Sequence, residues 1–427
     1  MGILKEIPEL LQEGVITDET AKRIQDYYKS KKSSSTNKLF IVFGVLGAIL
    51  VGLGLILIIA HNWDELSRMT KTIFAFLPLI IGQYLSGWVI LKKRDSIAWR
   101  ESVSAFLFFA VGASISLVSQ IYNIPGNLSS FLLTWMLLCI PLIYLMKSSV
   151  ASLLCLAGIT YYAAETSYWT YPSSDSYMYW VSLLLIMPHY YHLYRKKPTS
   201  NFMVFHNWII PLSLVIILGT LAEKFDELMY IAYIVLFGIF SLIGDREFIS
   251  KQRLLSNGYS VMGSLGSIII LLMLSFNWFW DHLRTTEVLM NELVRSNEFL
   301  SIIVLIALAL VMLFYRKREL TIENMNPFSF IFLLLIPTYI IGLNSSVAII
   351  LINLFVLGLG ILIILQGAQK NHFGILNYGL LIITALVVCR FFDSDLSFVL
   401  RGVLFVIVGV GFFASNYVML KKRKSNE

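Results

Sequence analysis

Charge is what this chain has least of. Only 14% of its 427 residues are Asp, Glu, Lys or Arg, while 57% are hydrophobic; soluble domains carry roughly 25% charged residues. With a mean hydropathy of +0.76, too few charges remain to cover a water-facing surface, which excludes an ordinary soluble core. Cysteine is scarcer still. The three, Cys139, Cys155 and Cys389, all lie inside apolar runs; they read as small packing residues and exclude a disulfide framework. The chain has no GxxxxGK[ST] phosphate loop, no HExxH pair and no GxSxG nucleophile elbow, so no nucleotide or hydrolase signature directs the reading. That absence weighs less for intramembrane enzymes, whose reacting groups come from separate helices. The alternating segments of about ten residues that build a membrane barrel are missing too.

Long apolar runs are what the chain does have, from Leu39 to Leu420. About 20 residues at 1.5 Å each cross the hydrocarbon core, where the backbone must satisfy its own hydrogen bonds, so the runs are predicted to be helices. Spans are expected near 39–60, 70–91, 102–122, 128–146, 149–164, 177–194, 207–222, 228–244, 256–276, 299–315, 328–342, 346–366, 373–390 and 398–419. The 149–164 and 328–342 segments are short, as a little-tilted or a re-entrant helix would be. No cleavable signal peptide is expected, because the first run follows a polar stretch and is long enough to span.

The basic residues fall into alternate loops. The N-terminal tail, the loops at 92–101, 147, 195–206, 245–255, 316–327 and 370, and the C-terminal tail hold 26 of the 33 Lys and Arg; the acidic residues divide evenly between the two sets of loops. Basic residues alone set orientation, and they mark the cytoplasmic side. The expected fold is therefore an all-α polytopic transmembrane bundle of about 14 spans with both termini cytoplasmic. The net charge of +7 reads as this topology signal and not as nucleic-acid binding. Residues 1–37 are expected to form a cytosolic amphipathic helical region and linker, 38–420 the transmembrane domain, and 421–427 a basic cytosolic tail. In the first region Ile3, Leu4, Ile7, Leu10 and Leu11 share a helix face, Gly14 suits its end, and Thr17 can cap a second helix. That pair is the place for a cytosolic protein partner.

His61-Asn62-Trp63-Asp64 and Ser119-Gln120-Ile121-Tyr122-Asn123-Ile124, followed by Trp135 and Pro141, join Glu13-Gly14-Val15-Ile16-Thr17 in the tail. With these motifs, residues from about 10 to 165 resemble the uncharacterised membrane family DUF2157. The stretch from Asn377-Tyr378-Gly379 through Arg390-Phe391-Phe392-Asp393 to Arg401-Gly402 looks like the ending of the same broad group, shared with DUF4401. The resemblance implies a multi-pass protein of the bacterial cytoplasmic membrane and supplies no activity.

The candidate site residues lie on the outer face. His61, Asn62 and Asp64 sit where the first span emerges; capping and interface anchoring by Trp63 is the preferred reading, ligand contact the alternative. Gln120 and Tyr122 end the third span, where an amide in hydrocarbon must bond to another helix or line a wet cavity. Arg390, Asp393 and Arg401 surround the last outer turn against the charge bias. They form a structural ion pair or, through the planar guanidinium fork, a site for carboxylate or phosphate. His189 and His192, three apart, lack further ligands for a metal, so no metal and no cofactor is expected. Asn277-Trp278-Phe279-Trp280-Asp281 echoes His61–Asp64 at half the chain length; repeated halves occur in transporters, but Trp is enriched at interfaces in any case. The first expectation is a transporter or flippase-like protein for a small or lipid-linked anionic solute. The alternatives are a membrane enzyme acting on a lipid or glycan carrier, and a scaffold or sensor using its N-terminal helices.

Overall fold

The computed structural model describes residues 3–27, 65–168, 177–245, 256–285, 290–316 and 326–393, with isolated positions within 43–50 and 399–417. Among these residues every regular element is helical, as the apolar runs require. The chain divides into two compact units, residues 1–152 and 153–427.

In the first unit, α1 (Ile3–Gln12) ends at Gly14, whose φ of 66° is the left-handed conformation that a side chain resists. Thr17 then opens α2 (residues 18–27), its hydroxyl accepting from Thr20 N at 3.4 Å. Ile7 and Ala21 are buried. Three long helices follow: α3 (Arg68–Lys92), α4 (Ile97–Tyr122) and α5 (Leu128–Leu145). Ser67 and Asn127 cap α3 and α5 through their side-chain oxygens, satisfying orphan amides that lipid or the interface would leave unpaired. Small residues set their spacing. A Cβ on Gly112 would lie 2.4 Å from Trp135, whose indole bonds to Phe108 O at 2.8 Å. Ser114 Oγ donates to Ala75 O at 2.7 Å, tying α4 to α3.

The remaining helices are α6 (Ser149–Tyr168), α7 (Tyr177–Lys196), α8 (Asn201–Gly219), α9 (Met229–Gly244), α10 (Gly258–Leu274), α11 (Asn277–Thr285), α12 (Met290–Arg295), α13 (Asn297–Arg316), α14 (Ile331–Gly342), α15 (Val347–Gln369) and α16 (Phe373–Asp393). In the second unit α9 is the central helix, buried along almost its whole length. It packs backbone to backbone on α10, where a Cβ on Gly263 would meet Ser241 Oγ at 2.4 Å and Phe237 O at 2.8 Å. The pair α15 and α16 repeats the device: a Cβ on Gly379 would stand 2.7 Å from Gly360 O. In lipid, where apolar side chains gain little from leaving the solvent, such close approach is what holds helices together.

Eight described helices are long and apolar enough to cross a membrane: α3, α4, α5, α8, α9 with its preceding turn, α13, α15 and α16. The span expected at 256–276 is instead a bent pair, α10 and α11 meeting at 68°. The segment expected at 328–342 is the 12-residue α14, about 18 Å long and short of the roughly 30 Å core. The segments at 149–164 and 177–194 are 20-residue helices, α6 and α7. They fall below the same apolar threshold because Thr160, Glu165 and Thr166 on α6 and His189, Tyr190 and His192 on α7 dilute their hydrophobicity. The spans expected at 39–60 and 398–419 lie largely outside the described residues.

Candidate functional site

Among the described residues, the richest polar assembly lies in the second unit, around the break between α10 and α11. No proline causes it. Ser275 caps α10 by turning its hydroxyl back to Leu272 O at 2.6 Å, and α11 restarts two residues later at Asn277. Trp280 holds the bend. Its Nε1 donates to Leu274 O at 2.7 Å, satisfying a helix-end carbonyl, and its fully buried ring lies 5.4 Å from that of Tyr339. Gly342 makes this seat available: a Cβ there would stand 2.0 Å from the indole.

Two arginines hold the bent pair, one at the break and one at the far end of α11. Arg390, near the end of α16, donates from Nη2 to Ser275 Oγ at 3.1 Å, and its guanidinium sits 5.1 Å from the centroid of the Phe276 ring. Arg284, on α11, donates from Nε to Gly342 O at 3.0 Å and reaches Asp281 Oδ1 at 3.4 Å and Ser346 Oγ at 3.5 Å. Its Nη2 is buried with no hydrogen-bond partner among the described residues. Both guanidiniums are thus positioned by one or more fixed bonds, the condition under which the fork recognises an oxyanion.

Carboxylates complete the same region. Glu227 pairs with His282 Nδ1 at 3.1 Å, while its own carbonyl accepts from Tyr339 OH at 2.9 Å. Glu298, fully buried at the start of α13, uses Oε1 to accept three backbone N–H groups, those of Glu223, Lys224 and Phe225, at 2.8–2.9 Å. Lys224 pairs with Glu292, and Asn297 Nδ2 donates to Glu223 Oε1 at 3.0 Å. Glu298 therefore pins the turn before α9, and that turn presents Glu227 to His282.

Of the residues singled out in the sequence, Arg390 lies at this break. Asp393 closes α16, and its side chain lies outside the described residues, as do His61, Asn62, Asp64 and Arg401. Gln120 and Tyr122 lie in the first unit, both exposed. Tyr122 OH meets Thr72 Oγ1 at 3.1 Å, and its ring lies 5.8 Å from the Arg68 guanidinium. Glu227 was legible in the sequence only as an acidic residue flanking an outer helix end; Arg284 and Glu298 were missed. For Arg284 a signal was present: like Arg390, it is one of the few basic residues in a loop expected to face outside. For Glu298 there was none, because its partners are backbone amides about 75 positions away.

A second polar set threads the core of the same unit. Ser213 on α8 bonds to Thr160 Oγ1 and to Tyr179 OH, both at 2.6 Å, and Tyr190 OH donates to Asn207 Oδ1 at 3.0 Å. These are interhelical bonds that polar groups must make in lipid. His189 is buried, its ring 6.1 Å from that of His206, and His192 is exposed. Among the described residues no three His, Cys, Asp or Glu side chains come together to hold a metal ion.

With this geometry in hand, comparison with known proteins bears on the first unit. Residues 8–152 match the family DUF2157, described as a predicted membrane protein. The DUF2157 match ends where the first unit ends, so the assembly at the α10–α11 break lies beyond it. No curated protein and no solved structure matches the chain. The protein is a helical membrane protein with several spanning helices.

Proposed function

We propose that this protein is a transporter or flippase-like protein for a small or lipid-linked anionic solute, resident in the bacterial cytoplasmic membrane. The observation that supports it is the broken helix pair α10–α11 with Arg390 at the break and Arg284 at the far end of α11. Discontinuous helices place freed backbone groups and fixed charges where a solute binds, and an arginine is retained in a membrane when it is paired or faces water. The Glu227–His282 couple supports a second reading, a membrane enzyme acting on a lipid carrier, since a neighbouring acid and imidazole can exchange protons with a substrate.

Proteoliposomes carrying the full chain test both readings. Uptake of inorganic phosphate and of succinate, and translocation of fluorescent phosphatidylglycerol, are followed beside hydrolysis of that lipid. Movement of one of the three above protein-free vesicles is expected, with Arg390→Ala and Arg390→Lys both reducing it at least about tenfold, since lysine keeps the charge but loses the fork. Hydrolysis without movement favours the enzyme. If both Arg390 variants are stable and fully active, the anion-site reading fails.

A further inference from the structure

The first unit holds a feature that none of this explains. The α3–α4 and α5–α6 connections enclose a recess of about 200 Å³ including its open mouth, with Arg94, Arg100 and Lys147 around apolar Val89, Leu145 and Met146. We propose that this recess binds the phosphate of an anionic phospholipid headgroup.

Three observations carry the proposal. First, none of the three cations forms an ion pair among the described residues. Arg100 stands in the first turn of α4 with its Nε buried and without a hydrogen-bond partner among the described residues. The adjacent carboxylate, Glu101, is committed elsewhere: it accepts from Ser148 Oγ, from Ser149 N at 3.1 Å and from Val150 N at 2.9 Å, capping α6. A buried guanidinium N–H without an acceptor, on a side chain that lines the recess with Arg94 and Lys147, calls for an oxyanion. Second, Lys147 occupies the tight α5–α6 connection at φ 48°, a left-handed conformation that glycine or asparagine adopts more easily. The fold holds a lysine there and directs it to the recess. Third, the lining matches the chemistry of a lipid at its interface. Trp88 and Trp99 meet edge-to-face at 5.1 Å near the same ends of α3 and α4, the level at which tryptophan anchors helices. The apolar lining beside the cations suits the glycerol and first acyl carbons of a lipid lying at the mouth.

Size narrows the ligand. The recess is shallow, with enclosed room for about one water-sized group, so a single phosphate oxygen enters it, the rest of the headgroup stays at its mouth, and a nucleoside is excluded. The surplus of basic residues assigns this end of the helices to the cytoplasmic side, where anionic headgroups attract basic pockets between helices.

The test uses the full-length protein in neutral detergent, titrated with dioctanoyl phosphatidylglycerol, dioctanoyl phosphatidylcholine and inorganic phosphate, with binding read by tryptophan fluorescence and thermal shift. Phosphatidylglycerol is expected to bind and phosphatidylcholine to bind at least about tenfold more weakly. Arg100→Gln should weaken phosphatidylglycerol roughly tenfold to hundredfold, the effect of losing a charge-assisted bond. Lys147→Gln, at an exposed position, keeps the test open should Arg100→Gln fold poorly. Inorganic phosphate that competes with the lipid and loses affinity in the same variants supports an anion site whose source is free phosphate; a silent phosphate supports the headgroup. Equal affinity for both lipids, or binding unchanged within about threefold in Lys147→Gln and Arg100→Gln alike, overturns the proposal. Binding that Arg100→Gln and Lys147→Gln weaken reports this recess and not the Arg390 assembly, so failure of this site is distinct from failure of the transport reading.

Discussion

Gly342→Ala is the sharpest probe of the α10–α11 break. The added methyl would lie 2.0 Å from Trp280 Cζ3 and 2.5–2.6 Å from two more atoms of the same ring, well inside van der Waals contact. The indole is fully buried, so it cannot swing into open space. Either the ring moves and stretches its 2.7 Å bond to Leu274 O, or α14 shifts and carries with it the Gly342 carbonyl that holds Arg284. Overpacking of this kind costs about 1–3 kcal/mol, and a loosened hydrogen bond adds about 1 kcal/mol. The expected loss is about 2–4 kcal/mol, or roughly 4–8 °C in unfolding temperature for a unit of this size. Scanning fluorimetry in detergent measures it, with all variants heated at one rate because membrane proteins unfold irreversibly. Trp280→Phe removes the clashing ring atoms, and the double variant should be less damaged than the two single losses together by about 1 kcal/mol or more. A Gly342→Ala protein as stable as the parent, or strict additivity in the double variant, would refute this account of the bend.

Glu298→Ala would leave three backbone amides without their acceptor; the expected loss is about 3 kcal/mol or more, with Glu298→Gln retaining an oxygen and losing about 1–2 kcal/mol, both read by thermal unfolding. Gly263→Ala should cost about 2 kcal/mol, because its Cβ meets α9 at 2.4 Å, whereas Gly87→Ala, with nothing within 4 Å, should be neutral or stabilising by up to about 1 kcal/mol. Reporter fusions after Lys197 and Lys424 are expected to report cytoplasm and one after Asp281 the outside; an external signal at Lys424 would break the proposed orientation.

Composition and the run of apolar segments determined that the chain is helical and membrane-embedded, because lipid permits few other ways to satisfy a backbone. That much depends on residue type and length, which are local properties. The same logic located most helices within a few residues, α3, α5 and α15 among them. It did not foresee that the run at 256–276 ends in a bend: Ser275, Phe276 and Asn277 contain no helix breaker, and the bend exists because Trp280 folds back onto Leu274 O while Gly342 and Arg390 arrive from elsewhere to hold it. Arg390 was legible as a charge in the wrong loop. What it touches, Ser275 Oγ and the Phe276 face, was not, since these lie more than a hundred positions earlier. Glu101 and Arg100 make the point most plainly. They are neighbours of opposite charge on one helix, where adjacent side chains do not face each other, and nothing in the sequence shows what each one meets. The tertiary structure turns Glu101 into the cap of α6 and leaves Arg100 facing a recess, because a carboxylate gains more from unpaired backbone amides than from a cation it cannot reach in helical geometry.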